Sequence, residues 1–171
     1  DFALARAFDT SGDPDLVRLK PCLVFAKPDS PFQKRFDFVM VDIREPQAEL
    51  LLSIVLMAGG AVNLSDNLPR LNERGVELAR RAVAAESAES AIPLDLFESD
   101  KPSRWLQKIN GGCRVLLVNW QDDEQEMEFD LKKHGIEAAS AVDFWHDSPV
   151  AVEQGVIRSR IPGRSCLLAV V

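Results

Sequence analysis

Hydrophobic and polar positions follow two different patterns along this chain. Up to about Ala91, short apolar runs alternate with stretches of helical periodicity, which is typical of strands and crossover helices around a parallel sheet. Residues 84–91 are rich in alanine, serine and glutamate, and beyond Pro93 short strand patterns dominate. These patterns predict an α/β domain over residues 1–91 and an all-β domain, a small antiparallel β-sandwich, over residues 92–171.

Two helices are predicted in the first half, after strand candidates within residues 16–25. Glu45-Pro46 is a favourable helix start because proline at the first helical position loses no needed donor, and the helix continues to Gly59-Gly60. Its apolar residues occur on every face, so we expect burial on more than one side. A short strand at 61–64 and a polar turn precede an amphipathic helix over 69–85. Its expected buried side carries Leu71, Leu78, Ala82 and Val83.

The second half reads as a set of short strands. Residues 103–109 and 113–120 flank Asn110-Gly111-Gly112, which can supply the positive φ angles of a tight hairpin. Residues 126–131 alternate between acidic and apolar side chains, which predicts a strand with one buried and one solvated face. Further strands are expected at 142–145, 156–161 and 165–171.

Composition narrows the classes of partner. The chain has 171 residues, 46% of them hydrophobic and 27% charged, with a net charge of −7. It has no excess positive charge to attract phosphate backbones or anionic lipid, so we expect no nucleic-acid partner and no membrane partner. The longest apolar run, residues 50–62, is shorter than the ~20 residues that cross a bilayer. A neutral ligand suits this charge balance better.

The opening of the chain carries no targeting information. Asp1-Phe2-Ala3-Leu4 has neither a basic region nor an apolar signal core nor an initiator methionine, and it looks like a cut edge. The sequence therefore leaves the localisation open, with the cytoplasm as the default expectation.

Cysteine and histidine positions argue against a metal or cofactor. Cys22, Cys113 and Cys166 are far apart and lie in apolar runs, which predicts buried thiols. With only His134 and His146 and no Cys-x-x-Cys spacing, a zinc site lacks ligands, so we predict no metal and no cofactor. His134 is expected at a surface turn and His146 at a strand end, where a proton-transfer pair with the following aspartate would lack a nucleophile.

The tryptophans allow two interpretations. Trp105, Trp120 and Trp145 could form an aromatic platform for a sugar. Each also sits in an alternating apolar pattern, and because a tryptophan buries a large area, core packing is the interpretation that we favour.

Three segments, taken in order, resemble the second half of the melibiases, the α-galactosidases of glycoside hydrolase families 27 and 36. Gly12-Asp13-Pro14-Asp15-Leu16 is similar to the Asn-Asp-Pro-Asp segment that ends a late barrel strand. Residues 57–68, Met-Ala-Gly-Gly-Ala-Val-Asn-Leu-Ser-Asp-Asn-Leu, resemble the last helix, last strand and following turn. Residues 114–120, 142–145 and 161–168 resemble strands of the C-terminal β domain.

The resemblance implies a (β/α)8 barrel followed by a β-sandwich, and hydrolysis of terminal α-linked galactose with retention of configuration. A whole barrel takes about 250 residues, so residues 1–91 can be only its C-terminal segment, with the sandwich in residues 92–171. A retaining glycosidase needs two carboxyl groups about 5–5.5 Å apart. In melibiases both precede the Asp-Pro-Asp segment, so we expect the catalytic pair to be missing from this chain.

The substrate-contacting residues implied by the resemblance are Asp15 and Leu16, with Asp13 beside them, at the border of a galactose pocket. Thr10 and Gly12 stand where tryptophan and asparagine are usual, so the pocket differs locally. A loop aspartate that caps backbone amides is the alternative for Asp15.

Five polar residues are not assigned a catalytic role. Asp13 and Asp15 are not read as the catalytic pair, because two carboxylates on one short loop rarely bracket a sugar from opposite faces. Asp29 lies on the wrong side of Asp-Pro-Asp to be the nucleophile, and it is read as a turn residue. Ser65 and Asp66 are read as helix-capping residues.

Three functions remain open. The chain is a portion of a retaining α-galactosidase, inactive alone; or a non-catalytic carbohydrate-binding or interaction module; or a free-standing hydrolase that uses Asp13, Asp15 or Asp29. In the first case, unpaired barrel strands would favour self-association, so a homo-oligomer is a further expectation.

Overall fold

The computed structural model describes residues 4–5, 8–9, 16–19, 41–59, 62–64, 72–99 and 101–171. In the first half it contains two helices and five short strands: β1 (Leu4–Ala5), β2 (Phe8–Asp9), β3 (Leu16–Leu19), β4 (Val41–Arg44), α1 (Glu45–Ala58), β5 (Asn63–Leu64) and α2 (Glu73–Ala84).

Strand pairing in the first half differs from the expected parallel sheet. β1 and β5 pair in parallel, but β2, β3 and β4 form an antiparallel sheet in which β3 is central. An apolar run predicts that a strand forms, whereas its direction relative to a neighbour depends on how the chain returns, which periodicity does not encode.

The second half contains nine strands and a short 3-10 helix (Lys132–His134). The strands are β6 (Ile92–Pro93), β7 (Arg104–Ile109), β8 (Gly112–Asn119), β9 (Gln125–Asp130), β10 (Ala141–Asp143), β11 (Pro149–Val150), β12 (Val152–Glu153), β13 (Val156–Ile161) and β14 (Ser165–Val170). They form a six-stranded sheet, in the order β11-β10-β14-β8-β7-β6, and a three-stranded sheet, β12-β13-β9, with antiparallel pairing throughout. The predicted antiparallel β-sandwich is confirmed.

Helix α1 has the predicted bounds. It begins at Glu45 and is followed by Gly59 at φ +68°, a backbone conformation that favours glycine. A Cβ at Gly59 would also lie 2.9 Å from the carbonyl oxygen of Ala88 and the amide nitrogen of Ser90, so the chain passes too close for any other residue. No helix in the described part of the chain is long and apolar enough to span a membrane.

Helix α2 begins later than predicted. Asn72 has an extended backbone, and its side-chain oxygen accepts a hydrogen bond of 2.7 Å from the amide of Gly75, so the helix starts at Glu73 rather than at residue 69. Leu78 and Ala82 are buried as expected, but Val83 is 57% exposed, so its assignment to the buried side was wrong. The narrow buried face, which includes the small residues Gly75 and Ala79, brings α2 close to its neighbours.

The hairpin between β7 and β8 and the alternation in β9 are confirmed. Ile109 pairs with Gly112 across the two-residue turn, and within that turn only Gly111 has a positive φ. Met127, Phe129 and Leu131 are buried, while Glu126 and Glu128 are exposed.

Both faces of the six-stranded sheet are covered. On one face Leu116, Val118, Trp145 and Leu168 pack with residues of α1 and α2 in one core cluster. On the other face Val115, Leu117 and Ala169 pack against the three-stranded sheet in a second cluster. The central strand β8 is therefore buried on both sides, and the predicted boundary near residue 91 falls in a connection between layers that share a core.

Candidate functional site

Most of the sequence-predicted sugar contacts lie outside the described residues. Asp13 and Asp15 belong to that part of the chain, as do Asp29, Ser65 and Asp66. Leu16 is the first residue of β3, where its backbone pairs with that of Arg44, the residue that precedes α1. The Asp13–Leu16 segment therefore runs directly into a strand that is paired to the entrance of α1.

A cluster of charged side chains lies at that entrance. Glu45 and Glu49 are one turn apart on α1, and the Arg74 guanidinium of α2 is bonded to both carboxylates. Glu49 is only 5% exposed, and this burial raises the pKa of its carboxyl, although His146 and Arg74 both favour the charged form. The hydrogen bonds to the glutamates raise the pKa of Arg74, whose own burial acts in the opposite direction.

His146 joins the same cluster from the turn after β10. Its Nε2 lies 3.4 Å from the Glu49 carboxylate, and its Nδ1 lies 3.2 Å from that of Asp143. Donor atoms of Glu45, Glu49 and His146 lie within 4.8 Å of one another, a spacing that could hold a metal ion. Because the Arg74 guanidinium already binds both glutamates, we interpret the cluster as an ion-pair network that joins two helices to the sandwich. The expectation of no metal stays a prediction.

A second network links the far end of α2 to the same turn. Arg81 bonds to Glu77 one turn earlier, to the carbonyl of Phe144 at 2.6 Å and to the carboxylate of Asp147. Asp147 has φ +53°, so a strained residue is held by this pairing. The arginines lower the pKa of Glu77 to about 2, with Arg80 making the largest contribution.

Sequence reasoning correctly favoured core packing for Trp145, which is 2% exposed. Trp105 and Trp120 are partly buried, and both indole N–H groups donate to one acceptor, the carbonyl of Pro102, at 3.2 and 3.0 Å. Trp120 also lines a groove of about 650 Å³ at one end of the sandwich. We call this the end groove.

The end groove lies where three strands meet the loops at one end of the sheets. Its lining includes the buried residues Val118, Asn119 and Met127. Its walls and rim consist mainly of polar side chains: Ser99, Lys101, Ser103, Arg104, Gln121, Gln125, Glu126 and Arg164, together with Trp120.

One wall is held by Asn119, which is 2% exposed. Its amide nitrogen donates to the carbonyls of Asp123, Ile161 and Pro162 at 2.8–3.1 Å, and its oxygen accepts from the amide of Gln121 at 2.9 Å. A single buried side chain thereby fixes the two loops that form this wall. The sequence analysis missed Asn119. The signal that could have identified it is its position as an asparagine at the end of a long apolar run.

The opposite wall is held by Asp95, another buried residue that sequence reasoning missed. Its carboxylate accepts from the amides of Ser103 and Arg104 at 2.9–3.2 Å. Pro102, between the two indoles and this carboxylate, cannot move without breaking several hydrogen bonds.

No protein-family model matches the sequence, and no curated protein matches it. Solved structures share its fold. The GH27 β-L-arabinopyranosidase of Geobacillus stearothermophilus, in complex with arabinose, aligns with a TM-score of 0.65 and 12% identity over 81% of this chain and 33% of its own length. α-Galactosidase I from Mortierella vinacea aligns with a TM-score of 0.60 and 12% identity over 74% and 35%. The isomalto-dextranase of Arthrobacter globiformis T6, complexed with panose, gives 0.60 and 14% over 75% and 24%.

These identities establish the fold and not the activity. The chain spans about a third of the length of the first two structures. The resemblance to melibiase-type glycosidases is therefore confirmed at the level of the fold: the chain, with its β-sandwich, shares a fold with solved GH27 structures.

Proposed function

We propose that the chain is the C-terminal portion of a retaining glycoside hydrolase of the α-galactosidase type, acting on terminal α-linked galactose. The observation that carries the proposal is the fold match with an α-galactosidase and a β-L-arabinopyranosidase over about three quarters or more of the chain. Both neighbours are glycosidases, and the Asp-Pro-Asp segment of the sequence agrees with that class.

In this proposal residues 1–91 supply the last segment of a (β/α)8 barrel and residues 92–171 supply the supporting sandwich. Asp13, Asp15 and Leu16 border the galactose pocket, where carboxylates accept hydrogen bonds from sugar hydroxyls. Support comes from the pairing of β3 with β4, which runs into α1, because α1 is anchored in the same core as the sandwich. The sandwich then acts as a rigid base for one pocket wall.

The catalytic carboxylates belong, in this proposal, to barrel strands that this chain lacks. A retaining mechanism needs a nucleophile and an acid/base carboxyl about 5–5.5 Å apart on either side of the sugar. Glu45 and Glu49 do not meet that need, because the Arg74 guanidinium occupies the space between them and binds both. We therefore expect the isolated chain to be inactive.

The test uses the 171-residue chain with 4-nitrophenyl α-galactoside and with methyl α-galactoside. We expect no release of nitrophenol, and weak binding of the methyl glycoside by saturation-transfer NMR that Asp15→Asn reduces about tenfold. Glu153→Gln, which neutralises an exposed carboxylate on β12, is the control and should leave binding unchanged.

Turnover that disappears in Asp13→Asn, Asp15→Asn or Asp29→Asn would instead support a free-standing hydrolase. Near-ultraviolet circular dichroism of each variant, which reports the packing of Trp145, checks that the fold is retained. Size-exclusion chromatography with light scattering tests the expected homo-oligomer.

The alternative function is a non-catalytic carbohydrate-binding or interaction module. The specific observation that favours it is the partial exposure of Trp120 beside the end groove. The two functions differ in where a sugar binds: near Asp15 in the first case and near Trp120 in the second.

A further inference from the structure

We infer that the end groove binds the terminal residues of a neutral saccharide. Within the part of the chain that the structure describes, the residues that line the groove all belong to positions 99–164. The inference rests on the alternative function, a carbohydrate-binding module, and adds the site and the class of ligand. It needs no catalytic carboxylate and holds whether or not the parent protein hydrolyses galactosides.

The size and lining of the groove suit a small polar ligand. Its volume of about 650 Å³ lies within the range of about 300–1,000 Å³ typical of ligand pockets. The partly exposed Trp120 provides apolar surface, and the rim provides amides, hydroxyls and guanidinium groups. A pyranose has the matching character: a C–H face that packs on an indole, surrounded by hydroxyls.

The fixed charges of the groove and of their partners cancel, so they do not favour an anionic ligand. Arg164 is paired with Asp122 at 2.8 Å, and its hydrogen bond holds the pKa of that aspartate below the ordinary value. Arg104 lies 3.8 Å from the Asp95 carboxylate. Lys101 and Glu126 bring one charge of each sign to the rim. The charges of these groups and their partners sum to zero, so charge gives an anionic sugar no advantage over a neutral one.

The groove is organised before any ligand arrives. Asn119 and Asp95 fix the two walls through their buried hydrogen bonds, and the amide of Arg164 donates to the carbonyl of Gln121 at 2.9 Å. Arg164 itself has φ +56°, a conformation that is uncommon for a long side chain and that directs it at the rim. Because these groups are already ordered, binding costs little conformational entropy.

A larger cavity elsewhere lacks these features. It has a volume of about 820 Å³ and lies beside the 3-10 helix, but its lining is dominated by small and aliphatic residues and includes no aromatic ring: Lys132, Gly135, Ile136, Glu137, Ala138, Ala139, Val152, Gln154 and Gly155. This cavity is the larger of the two, but only the end groove combines hydrogen-bonding side chains with an aromatic residue.

The experiment is an NMR titration of the ¹⁵N-labelled 171-residue chain with melibiose, maltose and free glucuronate. We expect saturable shifts of the backbone amides of residues 101, 103, 104, 119–126 and 163–165 with at least one disaccharide, and no stronger binding of glucuronate. The double substitution Gln121→Ala with Gln125→Ala removes two exposed rim amides and leaves the loop backbones intact, and it should weaken binding at least tenfold.

The control substitution is Gln154→Asn, which changes an exposed glutamine outside the groove and keeps a residue tolerant of its positive φ. It should leave the affinity unchanged. Absence of shifts with both disaccharides, shifts confined to residues 16–19, or equal affinity in the double variant would overturn the inference. Shifts at residues 16–19 alone would at the same time agree with the proposed galactose pocket, so failures of the two proposals are distinguishable.

Discussion

The indole N–H of Trp145 donates a hydrogen bond of 2.8 Å to the hydroxyl of Ser53, which lies 92 positions earlier in the chain and is fully buried. The Ser53 hydroxyl in turn donates to the carbonyl of Glu49 at 2.7 Å, and the Cys166 thiol lies 3.5 Å from it. One small hydroxyl on α1 thus meets two elements of the sandwich, which fixes the rotation of the helix against the sheet.

Replacing Trp145 by phenylalanine should destabilise the chain by about 2 kcal/mol, because it removes the donor to Ser53 and leaves part of the indole volume empty. Urea unfolding followed by circular dichroism measures the free energy of unfolding. Val83→Ala, at a 57% exposed position on α2, is the control and should change it by less than about 0.5 kcal/mol. An equal effect of both changes would show that the helix does not depend on this contact.

Gln107 closes the C-terminal end of α1. Its amide nitrogen donates to the carbonyls of Leu56 and Glu89 at 3.0 and 2.8 Å, and its oxygen accepts from Arg114 at 3.0 Å. Gln107→Leu should cost about 3 kcal/mol in the same unfolding measurement, because several buried groups lose their partners at once. Lys108→Leu, at the next and exposed position, is the control and should lower the free energy of unfolding by less than about 0.5 kcal/mol. If Gln107→Leu also cost less than about 0.5 kcal/mol, water would be replacing the Gln107 amide.

Acid should destabilise the chain partly through Glu77. Its pKa falls from an ordinary 4.5 to about 2 in the folded chain, so its contribution is fully present above pH 4.5 and is lost as the pH falls toward 2. In Glu77→Gln the melting temperature should therefore decrease less steeply between pH 4.5 and pH 2 than in the parent chain. Glu124→Gln, on an exposed turn, serves as the comparison, and identical slopes for the parent and Glu77→Gln would contradict the ion pairing.

The described thiols should be inert in the folded chain. Burial raises the pKa of Cys166 to about 12 and also raises that of Cys113, so neither forms appreciable thiolate at pH 8. In a Cys22→Ser chain we expect no fast reaction with Ellman's reagent under native conditions and reaction of two thiols in urea. Rapid native labelling of Cys166 would show that the core between α1 and the sheet opens readily, and rapid labelling of Cys113 would show the same for the core between the two sheets.

Several features of the fold could be predicted from sequence because their causes are local. Glu45-Pro46 and Gly59 bound α1 through backbone chemistry at its two ends, and Gly111 allows the turn between β7 and β8. The period-2 alternation around Phe129 likewise predicted which side chains are buried, since successive residues of a strand point to opposite faces.

Other features could not be predicted in this way. The start of α2 depends on which of several polar residues caps the helix, and Asn72 does so rather than a residue of the preceding turn. The direction of β3 depends on its partners, not on its own apolar pattern. The pairing of Arg74 with two glutamates of α1, 25 and 29 positions earlier, has no signal in a sequence where charged residues are common.

The sequence by itself determined the all-β class of the second half, the bounds of α1, the hairpin between β7 and β8 and the alternation in β9. These follow from backbone preferences and from the spacing of apolar side chains over a few residues. Only the tertiary structure decided that helices and sandwich share a core, and that Trp120, Asn119 and Arg164 meet around one groove. Those relationships join residues far apart in the chain, and burial and hydrogen bonding select them only once the layers have packed.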